Sequence, residues 1–542
     1  MSGAAAGGAG RTRPYGPSVP DGPAGGTGTD GVEHLDVLVV GAGMSGIGIA
    51  CHLRGKLPGK SFAILEARAS LGGTWDLFRY PGIRSDSDLH TFGYAFKPWR
   101  DRQAIADGSR IRDYLRETAT EHGLDGAIRP HHRVRAASWS SERALWTVAA
   151  ERTDTGETVT LTCGWLVAAG GYYRYDEGFT PEFEGRERFG GAIAHPQHWP
   201  DDLDHAGKRV VVIGSGATAV TLVPALAGAA AHVTMVQRTP TYVLPVNRND
   251  ALADALRRCL GERRAHALVR RKNVLLQSAF FRFCRRHPKA ARRLIRRLNA
   301  RRLPPGYPVD EHFNPPYEPW DQRLCTAPDG DLFTAVREGR ATVVTDRVTA
   351  FTGTGVELAS GGHVDADVVV TATGLNVRLL GGITLTVDGT PVRLADTVVF
   401  KGLMLSGVPN LALAIGYTHA SWTLKIDLVG EHLCRLLRHM DAHGLASCRP
   451  EPADPAMPTR PLFDLGAGYV RRAADELPRQ GDRGPWRTSA GYRADVRLLR
   501  DGEVSDPELR FGSRRRGDAC PPRGGTRTAW ARSGAGPSGR VR

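Results

Sequence analysis

The sequence lacks paired cysteines. Its 542 residues include eight cysteines, with no C-x-x-C pair and no Cys/His spacing typical of zinc ligands. These absences exclude a disulfide scaffold, a zinc site of recognisable spacing and the dithiol centre of a disulfide reductase. They favour a reducing, cytoplasmic setting, and no metal site is predicted.

A membrane-spanning run and a signal peptide are also missing. The chain does not start with a charged and then an apolar segment, so we expect no signal peptide. Val37–Leu53 and Val210–Ala231 contain no charged residue, but both are rich in glycine. A β-branched run followed by small residues indicates a buried strand that turns into a helix, rather than a membrane helix. With 41% hydrophobic residues, the chain is expected to fold as two or three domains.

The net charge of +15 is concentrated in two segments. Residues 257–303 carry a net charge of +16 and residues 512–542 one of +7, so the remainder is mildly acidic at −8. A nucleic-acid-binding function, which a basic chain would otherwise suggest, therefore has little support. Residues 1–33 and 512–542 contain few large apolar side chains, and we expect both tails to be disordered.

A first dinucleotide-binding motif follows an apolar strand near the start of the chain. The strand Asp36–Val40 runs into Gly41-Ala-Gly43-Met-Ser-Gly46, and the next strand ends in Glu66. Such glycines permit a tight turn, close approach of the backbone to a pyrophosphate, and close packing of helix on strand. The N-terminus of the helix faces the negative charge. A carboxylate at Glu66 accepts ribose hydroxyls and repels a 2′-phosphate, which indicates FAD or NAD.

A second motif of the same kind has the opposite charge at its end. Val210–Ile213 leads into Gly214-Ser-Gly216-Ala-Thr-Ala219, and the following strand ends in Arg238 and Thr239 without an acid. An arginine there can hold a 2′-phosphate with charge-assisted hydrogen bonds, which indicates NADPH. Two sites of opposite ribose chemistry predict a flavoprotein that NADPH reduces.

Further motifs resemble those of Baeyer–Villiger monooxygenases. Phe189-Gly-Gly191-Ala-Ile-Ala-His195-Pro-Gln-His-Trp199-Pro200 matches the family fingerprint F-x-G-x-x-x-H-x-x-x-W-P at all six fixed positions. Gly72–Asp86 resembles the segment that follows the FAD ribose site in that family. Shorter motifs are similar to the ethionamide-activating group of the family, at Pro319–Cys325, Thr371–Asn376, Ala420–Lys425 and Asp475–Gln480. The resemblance covers about residues 34–511, without the tails.

The resemblance implies an α/β fold with two Rossmann-like dinucleotide-binding domains, for FAD and NADPH, and a helical insertion. The first part of the FAD domain is expected at 34–200. The NADPH domain is expected at 205–365, with the insertion at 250–318. The second part of the FAD domain and a C-terminal lid are expected at 366–511.

The resemblance also implies an activity. NADPH reduces FAD, the flavin adds O2 as a C4a-peroxyflavin, and a ketone is converted to an ester or lactone. Sulfoxidation of thioethers or thioamides is an expected side activity. The expected partners are therefore O2 and a small ketone or sulfur compound. An N- or S-hydroxylating flavin monooxygenase is the alternative, against which the complete fingerprint argues. A third possibility is a basic protein, associated with membranes or nucleic acid, whose flavin fold is inert. The intact glycines of both dinucleotide-binding motifs argue against it.

Arg323 matches the catalytic arginine of the family, and Asp86 matches the carboxylate that orients it. An arginine suits this role because it keeps its proton in a water-poor site. The simpler alternative is a surface ion pair between Arg323 and Asp321. Many relatives carry a lysine just before the catalytic arginine, whereas this chain has Gln322, so preference for NADPH would depend on Arg238 and Thr239 and be less strict.

The remaining site residues are implied by the same match. The implied FAD contacts are Gly41, Gly43, Ser45, Gly46, Glu66, Thr74, Trp75, Asp76, Leu77, Asp86 and Val134. The implied NADP contacts are Arg84, Ser85, Asp86, Gly214, Ser215, Gly216, Ala217, Thr218, Ala219, Val220, Arg238 and Thr239. The fingerprint residues are implied to couple domain motion to turnover, and they are Phe189, Gly191, His195, Trp199 and Pro200.

The basic segment 257–303 places phenylalanines and leucines between pairs of arginines. One interpretation is a helical insertion with a solvated arginine face. The other is peripheral contact with an anionic membrane surface, as basic amphipathic helices make. The predicted location is cytoplasmic. Peripheral association with a membrane is the alternative.

Overall fold

The chain contains two units in which a strand is followed by a glycine turn and a helix. The strand of each unit belongs to a different sheet. The protein is described by a computed structural model over residues 31–463, 465–488 and 491–513. Most of the two predicted tails therefore lies outside the described residues. Within them, the first strand begins at Glu33 and the last ends at Ser513, so ordered strands extend slightly into both segments expected to be disordered.

The described residues form 27 strands, numbered in chain order. They are β1 Glu33–Val40, β2 Phe62–Leu65, β3 Ile128–Arg129, β4 His132–Ser140, β5 Leu145–Arg152, β6 Thr158–Ala168, β7 Tyr173–Gly178, β8 Ala192–Ala194, β9 Arg209–Ile213, β10 His232–Gln237, β11 Val243–Val246, β12 Cys325–Pro328, β13 Ala341–Thr345, β14 Val348–Phe351, β15 Gly355–Leu358, β16 His363–Asp365, β17 Val368–Thr371, β18 Leu375–Val377, β19 Thr384–Val387, β20 Thr390–Pro391, β21 Val399–Phe400, β22 Met404–Leu405, β23 Leu411–Leu413, β24 Leu445–Pro450, β25 Thr459–Pro461, β26 Arg479–Gly481 and β27 Leu509–Ser513.

Thirteen α-helices connect and cover these strands in the described ranges. They are α1 Met44–Lys56, α2 Thr74–Leu77, α3 Leu89–Phe92, α4 Gly108–Glu121, α5 Ala217–Leu226, α6 Ala251–Leu260, α7 Glu262–Arg286, α8 Pro288–Ala300, α9 Val309–His312, α10 Asp331–Arg337, α11 Trp422–Ala442, α12 Gly468–Arg472 and α13 Tyr492–Asp495.

The first sheet has the strand order β20-β19-β4-β5-β6-β1-β2-β3, with β23 also paired to β6. β1 runs parallel to β2 and β6, whereas β4, β5 and β6 form an antiparallel ribbon. Val37, Leu38 and Val39 are fully buried, because both faces of this central strand are covered. A strand buried on both faces needs an unbroken apolar run, which is the pattern seen in its sequence.

The second sheet is parallel throughout, with the order β13-β10-β9-β17-β8. Two of its strands differ from the predicted domain limits. β8 was expected in the first part of the FAD domain and β17 in its second part, yet both pair within the second sheet. The sequence of a short apolar strand does not indicate which sheet the strand joins. The sequences of β8 and β17 therefore could not predict their place in the second sheet. The two-domain α/β fold itself is confirmed, and the helical insertion consists of α6, α7, α8 and α9.

Two antiparallel strands form the connection between the sheets. β7 leaves the first sheet and β18 returns to it, and they pair with each other at Leu375↔Gly178 and Val377↔Tyr173. Any change in the angle between the two sheets must therefore pass through this two-stranded linker.

Three features expected from composition can be compared with the described residues. The seven described cysteines are all free. None of the described helices combines the length and the apolar character that crossing a bilayer would require. Within 31–463, 465–488 and 491–513, no group of His, Cys, Asp and Glu side chains has the arrangement of a metal site.

Candidate active site

A single large cavity reaches both glycine motifs. Its volume is about 1350 Å³, above the roughly 300–1,000 Å³ of a pocket that binds one small ligand. Gly41 and Gly43 of the first motif and Gly214 and Gly216 of the second belong to its wall. The cavity therefore offers two helix N-termini and enough space for two nucleotides.

The glycines of the first motif are required by the protein's own packing. Gly41 has φ +102°, and a Cβ there would lie 2.8 Å from the carbonyl oxygen of Ala169. A Cβ on Gly46 would lie 1.9 Å from the carbonyl oxygen of Gly41, so helix α1 approaches its strand more closely than any side chain allows. Gly43 has no protein atom closer than 3.5 Å to that position, and it faces the cavity.

Glu66 lies on the cavity wall at the end of β2. Its carboxylate accepts hydrogen bonds from the backbone N–H groups of Ala42 at 2.7 Å and Arg68 at 3.0 Å. Burial raises the pKa of the Glu66 carboxyl above its usual range, and the two N–H donors oppose that shift. A carboxylate has about four lone-pair sites. Two of them are left for ribose hydroxyls.

The other predicted FAD contacts divide into two groups. Ser45, Thr74, Trp75 and Val134 line the cavity. The hydroxyl of Ser45 accepts a hydrogen bond from Nε1 of Trp422 at 2.7 Å. This bond joins the first motif to helix α11.

Asp76 and Leu77 do not belong to the cavity wall. The carboxylate of Asp76 is buried and forms an ion pair with Arg68 at 2.8 Å. Leu77 packs in the hydrophobic core of the second sheet, beside Val220. Both side chains are directed into the protein, so a contact of these two residues with FAD would have to use their backbone, and it stays a prediction. Gly46 is also absent from the cavity wall, because it packs on its own strand.

The second motif is as tight as the first at its first glycine and more open at its second glycine. Gly214 has φ +143°, and a Cβ there would lie 2.3 Å from the carbonyl oxygen of Ala372, whereas a Cβ on Gly216 would meet no protein atom within 4 Å. The hydroxyl of Ser215 donates to the carbonyl oxygen of Thr239 at 2.8 Å. Ala217, Thr218 and Thr239 line the cavity, but the predicted contacts Ala219 and Val220 are buried inside α5 and do not reach it.

Arg238 is exposed at the rim of this cavity. No hydrogen bond or ion pair of its guanidinium is formed within the described residues, so the charge is available to a ligand. β10 and β13 pair in the register Gln237↔Thr345. Arg347, just past the end of β13, therefore lies at the same sheet edge, and it also lines the cavity. Gln322 lines the cavity too, without adding a charge.

Arg323 and Asp86 meet on the wall of the cavity, although 237 residues separate them. Nη2 of Arg323 donates to Oδ1 of Asp86 at 2.9 Å, and Nε lies 2.8 Å from Oδ2. The Asp86 carboxylate raises the pKa of Arg323 further above its already high usual value. Asp321, the alternative partner, instead pairs with Arg285 at 2.7 Å. The structure thus brings the two predicted catalytic residues together in a bidentate pair.

The loop that carries Arg323 is held in a strained conformation. Trp320 has φ +75°, which is rare for a bulky side chain and costs conformational energy. Such a conformation persists only where the surrounding contacts hold it in place. Its ring packs edge-on against Phe281 of α7 at 5.5 Å, and Arg285 of the same helix pairs with Asp321. The loop that carries Asp86 is tied to α7 as well, since Asn273 donates to Asp88 at 2.8 Å. One helix therefore fixes both loops.

Arg84 and Ser85 line the cavity beside Asp86. The guanidinium of Arg84 pairs with Asp331, at the start of α10, and so links the two sheets. The hydroxyl of Ser85 donates to the carbonyl oxygen of Ser87 at 2.7 Å. Both residues are near the predicted NADP position, but their side chains already have protein partners.

Known proteins resemble this chain in sequence. Residues 39–105 match the family description "NAD(P)-binding Rossmann-like domain". The chain is 53% identical over 483 residues to "FAD-containing monooxygenase EthA" of Mycobacterium tuberculosis, with 89% of this chain and 98% of that protein covered. It is 50% identical over 484 residues to the EthA of Mycolicibacterium smegmatis, with the same coverage. This chain belongs to the FAD-containing monooxygenase family. The resemblance inferred from the motifs is thereby confirmed.

Solved structures agree on the fold of this monooxygenase. "Oxidized steroid monooxygenase bound to NADP" superimposes with a TM-score of 0.71 at 22% identity and covers 89% of this chain and 100% of its own. An identity this low supports the fold alone. The two-domain architecture is therefore common to proteins of very different sequence.

Three tyrosines around Arg323 of this monooxygenase were not predicted from the sequence. Tyr172, Tyr173 and Tyr469 all line the cavity, and the hydroxyls of Tyr172 and Tyr173 lie 2.9 Å apart. The ring of Tyr172 stacks on Trp422 at 5.3 Å. Burial raises the pKa of Tyr173 well above its usual value, so its hydroxyl keeps its proton. The one available signal was the aromatic pair directly after Gly170-Gly171, at the end of β6.

The fingerprint segment of the monooxygenase lies outside the cavity, against the linker. Nε2 of His195 donates to the carbonyl oxygen of Gly374 at 3.2 Å, and the N–H of Gln197 donates to Nδ1 at 3.1 Å. Those two bonds fix a neutral tautomer, and burial lowers the pKa of His195. A Cβ on Gly178, in β7, would lie 1.9 Å from this ring. His195 therefore contacts Gly178 in β7 and Gly374, the residue directly before β18.

The other fingerprint residues anchor that histidine in the second domain. Phe189 packs in a small core with Phe351, and Trp199 packs on the core beneath the second sheet. Gly191 is required because a Cβ there would lie 2.2 Å from the carbonyl oxygen of Asp367. Pro200 follows directly and accepts a hydrogen bond from the N–H of Leu203 through its carbonyl oxygen at 3.3 Å. Their predicted role in domain motion stays a prediction.

Proposed function

We propose that this protein is an NADPH- and O2-dependent monooxygenase that converts a ketone to an ester or lactone and also oxygenates sulfur in thioethers or thioamides. The balanced reaction takes ketone, O2, NADPH and a proton to ester, NADP⁺ and water. The observation that carries the proposal is the bidentate Arg323–Asp86 pair, on the wall of one cavity that contains both glycine motifs.

The residues at the first motif fit FAD. The backbone at Gly43 is open to a pyrophosphate, and Glu66 has lone pairs left for ribose hydroxyls. When bound, FAD would accept two electrons from the nicotinamide and pass them to O2. Trp422 and Tyr172 stack over the same part of the cavity and would exclude water from it.

The residues at the second motif fit NADPH. Gly216 leaves open space for a diphosphate, and the unpaired guanidinium of Arg238 suits a 2′-phosphate. Arg347 offers a second positive charge at the same edge, and Gln322, where many relatives have a lysine, adds no charge to the cavity. These two arginines would set the preference for NADPH over NADH.

Arg323 would stabilise the negative charge that develops on the oxygen being transferred. Its guanidinium keeps its proton, since Asp86 raises its pKa, and a fixed charge costs no reorganisation during the reaction. Asp86 holds the planar group in one orientation through two contacts. The substrate would lie near Tyr417, Ala420 and Trp422, which form an apolar part of the wall.

The proposal is tested with purified protein, NADPH, ¹⁸O2 and a panel of ketones, thioethers and amines. We expect esters, lactones or sulfoxides that contain one ¹⁸O atom. Arg323→Ala should lower the rate of product formation by about 10²–10³-fold, as loss of a transition-state charge contact does, while flavin content is unchanged. Arg340→Ala is the matched control, because it removes an exposed arginine that pairs with Glu338 outside the cavity.

Two results would contradict the proposal. One is wild-type protein that forms only hydrogen peroxide from NADPH and O2 with every substrate. The other is an Arg323→Ala variant that oxygenates as fast as the control. Hydroxylated amines without any ester or lactone would instead assign the N-hydroxylating alternative.

A further inference from the structure

The helical insertion presents a long face that no other part of the described chain covers. Helix α7 spans 25 residues from Glu262 to Arg286, which corresponds to about 37 Å at 1.5 Å per residue. Its inner face is fixed to the first domain. The buried guanidinium of Arg270 donates to the carbonyl oxygens of His90, Thr91 and Gly93 and pairs with Asp427 at 3.1 Å.

The outer face of α7 consists of four arginines, two leucines and one alanine. Seven exposed residues are spaced three or four apart, and at 100° per residue they share one arc of about 80°. They are Arg264, Leu268, Arg271, Leu275, Ala279, Arg282 and Arg286. We call this set the outer face of α7. None of its four arginines has a carboxylate within 4 Å among the described residues.

Exposed leucine is concentrated on this insertion. Of the large hydrophobic side chains exposed in the described ranges, all but Phe96 are leucines of α6, α7 and α8. On α7, Leu268 is 47% exposed, Leu275 36% and Leu276 60%. Contiguous exposed apolar side chains mark interaction sites more often than scattered ones.

Helix α8 adds a cluster of positive charge next to α7. Arg293, Arg296, Arg297 and Arg301 line a shallow hollow of about 390 Å³. Only Arg296 has an acidic partner in the described chain, Asp310 at 2.6 Å. The hollow is therefore suited to a phosphate group.

We propose that the outer face of α7, with the arginine hollow of α8, docks on the surface of an anionic lipid bilayer. The arginines would pair with lipid phosphates, and the leucines would enter the boundary between headgroups and acyl chains. Arginine stems can lie along apolar surface while their charged ends stay in water. Nucleic acid would use the charges but gives no role to the leucines, since its affinity comes from phosphate contacts.

The test is co-sedimentation of the full-length protein with vesicles. We expect binding to phosphatidylcholine vesicles that contain about 30 mol% phosphatidylglycerol at about 50 mM salt, and release at about 500 mM, because salt screens surface charge. Vesicles of phosphatidylcholine alone should bind at least about tenfold less. Absence of binding to the anionic vesicles at low salt overturns the proposal.

Two sets of variants separate charge from apolar contact. The triple change Arg264→Glu, Arg271→Glu and Arg282→Glu should lower the partitioning of the protein onto anionic vesicles by at least about tenfold. Each basic residue near an anionic surface adds to the free energy of binding. The double change Leu268→Ser and Leu275→Ser should also lower it by about tenfold, because it leaves the charge unchanged and removes the inserted apolar area. Flavin content and NADPH oxidation, measured alongside, show that the variants fold.

The matched control makes the same change of charge elsewhere, at exposed arginines without ion pairs: Arg143→Glu, Arg186→Glu and Arg460→Glu. A second control reverses Arg514, Arg515 and Arg516, beyond the described residues. Both controls should keep wild-type binding within about twofold. An equal loss in either control overturns the proposal, because net charge or the tail would then explain binding.

Two further outcomes would assign the face to another partner. If duplex DNA displaces the vesicles and the leucine variants bind like wild type, the surface binds nucleic acid. If light scattering shows that the leucine variants change from dimer to monomer while vesicle binding is unaltered, the face joins two copies of the chain. Either result overturns the lipid assignment.

Discussion

The two glycine motifs of this enzyme follow similar apolar strands but end in opposite surroundings. Glu66 ends the first in a buried position with two N–H donors, whereas Arg238 ends the second in an exposed position without a protein partner. An enclosed site suits a nucleotide that stays bound, and an open cationic rim suits one that must enter and leave. Burial and charge at a single strand end thus distinguish two copies of one supersecondary unit.

The two motifs also differ in the space available at their third glycine position, which is Gly46 in the first motif and Ala219 in the second. In the first motif a Cβ on Gly46 would lie 1.9 Å from the carbonyl oxygen of Gly41. In the second motif the corresponding residue is Ala219, which is fully buried and accommodated. Helix α1 therefore lies closer to its strand than α5 does. At this third position the first motif is the more tightly packed of the two.

The largest effect is expected at this position. Gly46→Ala forces α1 away from β1, because backbone atoms cannot yield to a contact of 1.9 Å. We expect purified protein with less than about one tenth of the wild-type flavin content, judged by the ratio of visible to ultraviolet absorbance.

The reciprocal change is the control for that prediction. Ala219→Gly leaves space and costs about 0.5–1 kcal/mol of stability from a helix interior, so flavin content should stay near the wild-type value. Equal flavin content in Gly46→Ala and Ala219→Gly proteins would show that the two motifs do not differ in tightness.

The next effect concerns the charge at the second strand end. Arg238→Ala should raise the KM for NADPH about 10- to 100-fold, since a hydrogen bond to a charged group contributes about 1.5–3 kcal/mol. The KM for NADH should change less than about threefold, because NADH lacks the 2′-phosphate. Steady-state rates and the Kd of NADP⁺ measure both.

Arg340→Ala is the matched control, since that arginine pairs with Glu338 outside the cavity. An unchanged KM for NADPH in Arg238→Ala would remove the charge difference between the two sites. In that case Arg347 would be the next residue to replace.

The smallest effect concerns the linker. Burial lowers the pKa of His195, so the folded protein keeps it neutral while the unfolded chain takes up a proton below about pH 6.5. Its contribution to stability is therefore present above that pH and is lost as the pH falls towards the lowered value. His195→Gln should reduce the fall of Tm between neutral and mildly acidic pH.

The exposed neighbour provides the comparison for this pH effect. His198→Gln should keep the wild-type dependence of Tm on pH, as measured by differential scanning fluorimetry. If His195→Gln and His198→Gln give the same profile, burial of His195 does not shape the stability of the linker.

The difference between the two sites could be predicted because its signals are local. Each motif and its terminal Glu66 or Arg238 occupy one short stretch of chain, and a strand, glycine turn and helix follow directly in sequence. The pair Arg323–Asp86 joins residues 237 positions apart. It was inferred from the family resemblance, since no spacing rule connects such distant residues.

Other parts could not be predicted, for physical reasons. The sheet that β8 and β17 join depends on tertiary packing, because short apolar strands fit either sheet. Tyr172, Tyr173 and Tyr469 look like ordinary core aromatics until the fold brings their hydroxyls to Arg323. Asp76 and Leu77 lie within a segment that resembles the FAD site, but their side chains face arginines and the second core.

Anaerobic reduction of the bound flavin tests the difference between the two sites most directly. The desalted protein is mixed with NADPH or NADH without oxygen, and the visible absorbance of the flavin is recorded. We predict that FAD remains with the desalted protein, that NADPH bleaches it at a saturable rate, and that Arg238→Ala needs about 10- to 100-fold more NADPH for the same rate. Protein that loses its flavin on desalting, or that NADH and NADPH bleach equally, would contradict the assignment of a tight FAD site and an exchangeable NADPH site.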